Sequence, residues 1–371
     1  MSDKIFQVYL DCGSSKIRAG AFNKKNVENN FHYESNFLHD HTNIDNEIEK
    51  IISILERNTK EYLNEVNLII DSTKMFSVGI SVYKKIDGSK LEKKDIQFLI
   101  QDAKQQVLRN HFDQNIIHII IKNYKIDNIE YSFLPDDINC NLISLDIFFV
   151  CLPKITVEYF KKKFFKMDIS VNEIFCTSYA KSTSYKENFP TAENLSFIDI
   201  GLNKTSISCY NNNEIISLNV LPIGGNHITK DISKVLEINL KEAEFIKLHF
   251  DKNPEFLRKK KISLDLIQRI IFARVEEILE LCDQSIKLNF NLKVSDQYKM
   301  VLMGEGSKIL DNKYKAKISF LNDIDFLEET GEDICQSASK LLGKQNKEMS
   351  TMTQKKIVKN GFFEKLFHFF E

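Results

Sequence analysis

The sequence has no CxxC pairing, no run of eighteen apolar residues and no excess of either charge. Its seven cysteines (Cys12, Cys140, Cys151, Cys176, Cys209, Cys282 and Cys335) are scattered and odd in number. That pattern argues for a reducing compartment and against both a disulfide framework and a zinc site. No stretch reaches the length that spans a bilayer, and the apolar run in MSDKIFQVYLDCG is too short for a signal peptide. Lys and Arg number 51 against 52 Asp and Glu, a net charge of −1, so bulk attraction to nucleic acid has no basis. The expectation is a cytoplasmic protein.

The chain has 371 residues, 43% of them hydrophobic and 28% charged. That suffices for two or three domains with buried cores. Strand-like and helix-like segments alternate, which points to an α/β architecture. Strands are expected at Phe6–Leu10, Lys16–Phe22, Leu68–Asp71, Ile116–Ile121, Leu142–Cys151, Leu195–Ile200, Thr205–Tyr210 and Lys299–Met303. Helices are expected at Asn46–Glu61, Lys93–Arg109, Thr156–Phe165, Ile228–Leu236, Lys241–Phe250, Leu264–Lys287 and Glu332–Leu342. In Leu264–Lys287 the apolar residues Ile267, Ile270, Ile271, Val275, Ile278, Leu279 and Cys282 recur at helical spacing. His118, in the apolar run IIHIII, reads as a core residue and not a ligand. After Leu342 the periodicity stops, and GKQNKEMSTMTQKKIVKNG reads as a flexible tether.

One internal echo stands out. Residues 9–17 read YLDCGSSKI and residues 197–205 read FIDIGLNKT, so that Asp11 pairs with Asp199, Gly13 with Gly201 and Lys16 with Lys204. Each copy is a strand, a D-x-G turn and a second strand, which suggests two similar halves facing a common cleft. Glycine in such a turn lets backbone N–H groups approach a phosphate. Ser14 and Ser15 add hydroxyl donors and Lys16 a charge. An aspartate facing phosphates makes sense only with a divalent cation between them, usually through its water shell. A structural hairpin turn uses the same residues, but two copies at matching positions and a third glycine turn, VLMGEGSKI at 301–309, strengthen the phosphate reading.

These three motifs resemble the phosphate-1, phosphate-2 and adenosine motifs of the actin, Hsp70 and sugar-kinase superfamily. Within it the chain resembles the FtsA family of bacterial cell-division proteins. LPIGGNHITKDISKVLEINLKEAEFIKLHF (221–250), RVEEILEL (274–281), IIHIIIKNYKIDN (116–128) and the ending GFFEKLFHFFE carry that likeness. The resemblance implies an actin-like ATPase fold, two related halves around a nucleotide cleft with an FtsA-type 1C insertion. Subdomain 1A would take 1–80 and 154–192, 1C 81–153, 2A 193–230 and 295–343, and 2B 231–294. A flexible linker would take 344–360 and a membrane-targeting amphipathic helix 361–371.

It also implies ATP and Mg2+ as cofactors. Asp11, Gly13, Ser14, Ser15 and Lys16 map to phosphate 1, and Asp199, Gly201, Asn203, Lys204 and Thr205 to phosphate 2. Gly225, Glu244 and Lys247 map to the nucleotide as well, and Gly304 and Gly306 to the adenosine loop. Asp11 and Asp199 would face magnesium through water. Arg274 and Glu277 would receive the tail of FtsZ. The implied partners are FtsZ, further copies of the chain, other division proteins and inner-membrane lipid at the division site, with no nucleic acid.

Phosphate 2 departs from the family pattern DIGGGT, because Leu202, Asn203 and Lys204 follow Gly201. Leucine does not readily take a positive φ, asparagine does, and the lysine exchanges a hydroxyl for a charge. Nucleotide binding either survives through that charge or has become structural. No general base for water activation is recognisable. The alternatives are a PilM-like pilus scaffold, or a small-molecule kinase or ATPase of the same superfamily. The tail separates them. At 100° per residue its apolar side chains (Phe362, Phe363, Leu366, Phe367, Phe369 and Phe370) fall within an arc of about 160°. Such a helix, about 15 Å long, lies in a membrane interface and does not cross it.

Overall fold

The computed structural model describes residues 5–25, 29–36, 44–250, 254–260, 262–290, 298–310 and 324–353. The chain opens with β1 (Phe6–Cys12), β2 (Ile17–Asn23), β3 (Phe31–Glu34), α1 (Ile44–Thr59) and β4 (Glu65–Ile70). An inserted unit follows, formed by β5 (Phe76–Lys85), α2 (Lys93–Asn110), β6 (Gln114–Ile126), β7 (Ile129–Tyr131) and β8 (Leu142–Pro153). Then come α3 (Lys154–Phe165), β9 (Ser170–Cys176) and α4 (Thr177–Tyr185). The second half has β10 (Asn194–Ile200), β11 (Thr205–Asn211), β12 (Glu214–Leu221), α5 (Gly225–Leu236), α6 (Leu240–His249), α7 (Pro254–Lys259) and α8 (Leu264–Phe290). It ends with β13 (Lys299–Met303), β14 (Ile324–Phe326) and α9 (Gly331–Thr353).

The two halves share one topology. The first sheet runs β3-β2-β1-β4-β9 and the second β12-β11-β10-β13-β14. In each, an antiparallel hairpin continues into parallel strands, since β1 is parallel to β4 and β10 to β13. The internal echo is therefore structural. Helix crossovers cover both faces of such strands, which explains why LSFIDI is buried along nearly its whole length.

Strand alternation decides what each face meets. Leu195 and Phe197 of β10 join the core of the first half, with Tyr9, Phe175 and Tyr179. Ile198 and Ile200 point the other way and pack with Ile228, Ile246 and Ile278 of the helices after β12. Asp199 shares the face of Leu195 and Phe197, so period two aims it at the first half. The inserted sheet, β5-β8-β6-β7, has its own core around Leu99, Val107, Leu145 and Phe149. It spans Phe76–Pro153, so the boundary expected at residue 81 falls inside β5.

Two expectations need correction. Within residues 295–343, expected in the second half, β13 and β14 pair there, yet α9 packs Ile334, Cys335, Ala338 and Leu341 into the first core. Gly20 of β2 permits this approach, because a Cβ there would lie 2.9 Å from Cys335 Cβ. Helical period identifies the buried face but not the sheet that buries it. The tether expected from residue 344 is also helical as far as Thr353. KQNKEMSTMT contains no glycine or proline after Gly343, and its Lys, Gln, Glu and Met favour the helix. The rest of the expected linker lies outside the described residues.

His118 joins the insertion to the first sheet. It is buried, its Nε2 accepts from the Cys176 N–H at 3.0 Å, and its ring lies 4.7 Å from that of Tyr179. Burial pushes its pKa down from 6.5 to about 3. The unfolded chain therefore binds a proton that the folded one does not. The stability this gives is complete above pH 6.5 and declines as pH falls toward 3. At pH 5.5 this single group should cost about 1.4 kcal/mol relative to neutral pH. Urea unfolding at pH 7.5 and 5.5 measures it, and His118→Gln should lack that share of the pH dependence.

Candidate functional site

Asp11 sits at the carboxyl end of β1, directly opposite Arg18 on β2. Its Oδ2 is 3.2 Å from Arg18 Nη1, and the Thr177 hydroxyl donates to Oδ1 at 3.4 Å. Burial raises the Asp11 pKa, and Arg18 and Lys181 oppose that rise. Arg18 in turn donates through Nε to Glu34 at 2.8 Å and lies 3.5 Å from Glu305. Burial disfavours its charge, but Asp11 and Glu34 outweigh burial and raise its pKa.

Asp199 occupies the equivalent end of β10. Lys181 Nζ of α4 lies 2.7 Å from its Oδ2 and 2.9 Å from Glu329 Oε2. Glu329 also accepts the Gly304 N–H at 2.8 Å. Burial works against an ionised Asp199, yet Lys181 and Lys204 hold its pKa below the usual value. Burial likewise opposes the Lys181 charge, and Asp199 and Glu329 raise its pKa regardless. Gly304, at φ +89°, cannot be anything larger, since a Cβ would stand 2.3 Å from Asp199 Oδ1. The third glycine turn therefore closes directly onto the second aspartate.

The turn after β10 does not need the glycines it lacks. None of Gly201, Leu202, Asn203 and Lys204 takes a positive φ, so Leu202 fits without backbone strain. The Gly201 N–H donates to the Lys204 carbonyl at 2.9 Å. The start of α5 caps the turn, with the Gly225 N–H on the Gly201 carbonyl at 3.0 Å and the Asn226 N–H on Leu202 at 2.7 Å. Gly224 allows this contact, because a Cβ there would lie 2.5 Å from the Gly201 oxygen. Lys204 reaches across to Asp71 at the end of β4, with Nζ–Oδ2 at 2.6 Å.

A cavity of about 1050 Å³ opens between these turns. Asp11, Gly13, Ser14, Ser15, Asp199, Gly201, Asn203, Lys204 and Gly304 line it. It lies outside the carboxyl ends of parallel strands, where open α/β sheets place their ligands, and its size suits a nucleotide. Other expected residues stand apart from it. Lys16 turns to Glu34 at the rim. The buried Thr205 hydroxyl donates to the Ile223 carbonyl at 2.8 Å. Gly306 packs on Ile200.

Gly225, Glu244 and Lys247 form a closed network behind the cavity. Lys247 Nζ lies 3.1 Å from the Gly225 carbonyl, 2.9 Å from Thr229 Oγ1 and 2.7 Å from Glu244. Arg274 holds Asp231 of α5 in a fork at 2.6 and 3.0 Å and Glu277 at 2.5 Å. Phe362, Phe363, Leu366, Phe367, Phe369 and Phe370 lie outside the described residues.

Four ionic residues of the site escaped the sequence reading: Arg18, Asp71, Lys181 and Glu329. Arg18 is a lone charge in the otherwise apolar strand IRAGAFN, and Asp71 ends the apolar strand of LIIDST. Both were detectable as charges at the edge of buried strands. Asp11 and Asp199, expected to face magnesium, face Arg18 and Lys181. Among the described residues no group of three or more His, Cys, Asp or Glu side chains is arranged to hold a metal. The cavity fits a nucleotide. Its carboxylates do not fit a resident divalent ion.

Comparison with known proteins agrees with the motifs. Residues 196–305 match the family described as "Cell division protein FtsA". FtsA of Agrobacterium fabrum is 24% identical over 243 residues, 60% of this chain and 54% of that protein. That match spans about half the length of the relative. FtsA of Buchnera aphidicola subsp. Acyrthosiphon pisum is 24% identical over 366 residues, 87% of this chain and 85% of that protein. Among solved structures, a chain of the "PilM-PilN type IV pilus biogenesis complex" superposes with TM-score 0.59 at 11% identity. It covers 87% of this chain and 88% of that one. At that identity the likeness is one of fold, the actin-like ATPase fold that the family resemblance implied. The FtsA resemblance carried by the motifs stands.

Lys181→Met should leave two buried carboxylates without the ammonium that bridges them. Chemical denaturation should show a loss of about 3–5 kcal/mol. Adding Glu329→Gln should restore part of it, because one of the two charges is then gone.

Proposed function

We propose that the chain is an actin-like scaffold of bacterial cell division. In this reading it binds ATP in the cleft, polymerises, and tethers FtsZ filaments to the cytoplasmic face of the membrane. The observation that carries the proposal is the FtsA match over 196–305, which holds most of the second hairpin, α5 to α8 and Gly304 of the third turn. The cleft supports the nucleotide part, since both hairpin turns and Gly304 line one cavity. No helix among the described residues is long and apolar enough to cross a membrane, so the membrane is assigned to the sequence 361–371. On a helix the six apolar side chains of that sequence would share one face, and each would contribute roughly 1–2 kcal/mol when half buried. Ordering the helix offsets part of that, so one copy binds reversibly and a polymer binds through avidity.

The FtsZ tail is assigned to the part of α8 that carries Arg274 and Glu277, where Glu277 is half exposed. The likeness to PilM in fold supports a pilus scaffold as the second reading, and the aromatic tail weighs against it.

Deletion of 361–371 should abolish co-sedimentation with anionic liposomes without changing the circular dichroism melt. Pelleting by the truncated protein would sink the anchor. Calorimetric titration with ATP in magnesium buffer should give saturable binding. A flat titration would mean that the cleft has lost its nucleotide.

A further inference from the structure

Three aspartates stand on the side of the cleft formed by the two hairpin turns, and each already has a cation of the protein beside it. Asp11 has Arg18 at 3.2 Å, Asp199 has Lys181 at 2.7 Å and Asp71 has Lys204 at 2.6 Å. All six side chains are at most 17% exposed. Two of the second oxygens also accept hydrogen bonds, and the third is closely packed. Thr177 donates to Asp11 Oδ1 and the Cys176 thiol to Asp71 Oδ1, both at 3.4 Å, and Gly304 packs so close to Asp199 Oδ1 that a Cβ there would stand 2.3 Å from it. At the mouth, Glu305 is matched by Lys308 at 3.0 Å.

A hydrated divalent ion belongs between carboxylates and phosphates because it cancels their mutual repulsion. Here three ammonium or guanidinium groups stand beside the three aspartates before any ligand arrives, and a fourth carboxylate, Glu329, shares Lys181 with Asp199 while burial raises its pKa. An added divalent ion would meet those cations at close range, since each aspartate already has one beside it. Two of the pairs, Lys181–Asp199 and Lys204–Asp71, also run from one half to the other, so the halves are joined across the cleft by the protein's own charges.

We propose, resting on the nucleotide reading above, that this cleft takes a nucleoside polyphosphate in its metal-free form. Lys204, on the second turn, supplies the countercharge that magnesium would otherwise bring. The phosphate competes with Asp71 for the Lys204 ammonium, which can serve both because it carries three N–H donors. Lys181 and Arg18 stay with their aspartates and keep them from repelling the incoming anion.

The test is calorimetric titration of the full chain with ATP, once in EDTA and once in excess magnesium. The Kd in EDTA should lie within about fivefold of that in magnesium, a difference under about 1 kcal/mol. A larger loss in EDTA overturns the inference and leaves the nucleotide reading standing. Absence of binding in both buffers removes both. Lys204→Met, checked for folding by circular dichroism, should weaken the EDTA titration by about tenfold or more. An unchanged affinity in a folded variant would overturn the role given to Lys204. If that variant does not fold, the two wild-type titrations decide.

Discussion

A buried lysine between two acids holds this molecule together at its centre. Lys181 comes from α4 of the first half, while Asp199 ends the first strand of the second half and Glu329 lies just before α9. Burying any of the three alone would be costly, and together they are tolerable only if the geometry is kept. That requirement fixes the distance between the halves more sharply than apolar packing can, since apolar surfaces tolerate sliding. It also explains why Gly304 is needed, because the third turn must close on Asp199 with no room for a side chain.

Around this centre the fold repeats one solution. Both sheets lead with a hairpin whose turn points into the cleft, and both bury their parallel strands under crossover helices. The copies have since diverged in charge. The first turn keeps small hydroxyl residues, Ser14 and Ser15, whereas the second carries Leu202, Asn203 and Lys204. The second turn could change because α5 caps its carbonyls from behind and no residue in it needs a left-handed backbone.

Much of this was legible in the sequence, and the limits are physical. The hairpins were readable because a strand, a D-x-G turn and a strand form a local pattern, and the helix from Leu264 was readable from its apolar stripe. β5 was missed because FSVGISVYKK mixes glycine, serine and lysine along an edge of its sheet. α4 was missed because TSYAKSTSY has no apolar stripe, although nearly every residue in it is buried. Lys181, the centre of the site, sat in that unreadable segment. Its partners are 18 and 148 positions away in sequence, and no local pattern announces such a pairing. Conversely, Glu244 and Lys247 looked like ligand contacts from their motif, and the fold uses them to tie α6 to α5.

The return of α9 to the first sheet bears on how the chain is made. Cys335 lies against the carbonyl of Tyr9, 326 residues earlier. The first half therefore lacks one wall of its core until nearly all of the described chain has left the ribosome. During synthesis β1, β2 and β4 can pair, but the face meant for Ile334, Ala338 and Leu341 stays open to water or to a chaperone. The second half, with its own helices between β12 and β13, is complete once β14 has emerged, before α9. The order of translation and the order of completion should thus be opposite, with the half made first being the one finished last.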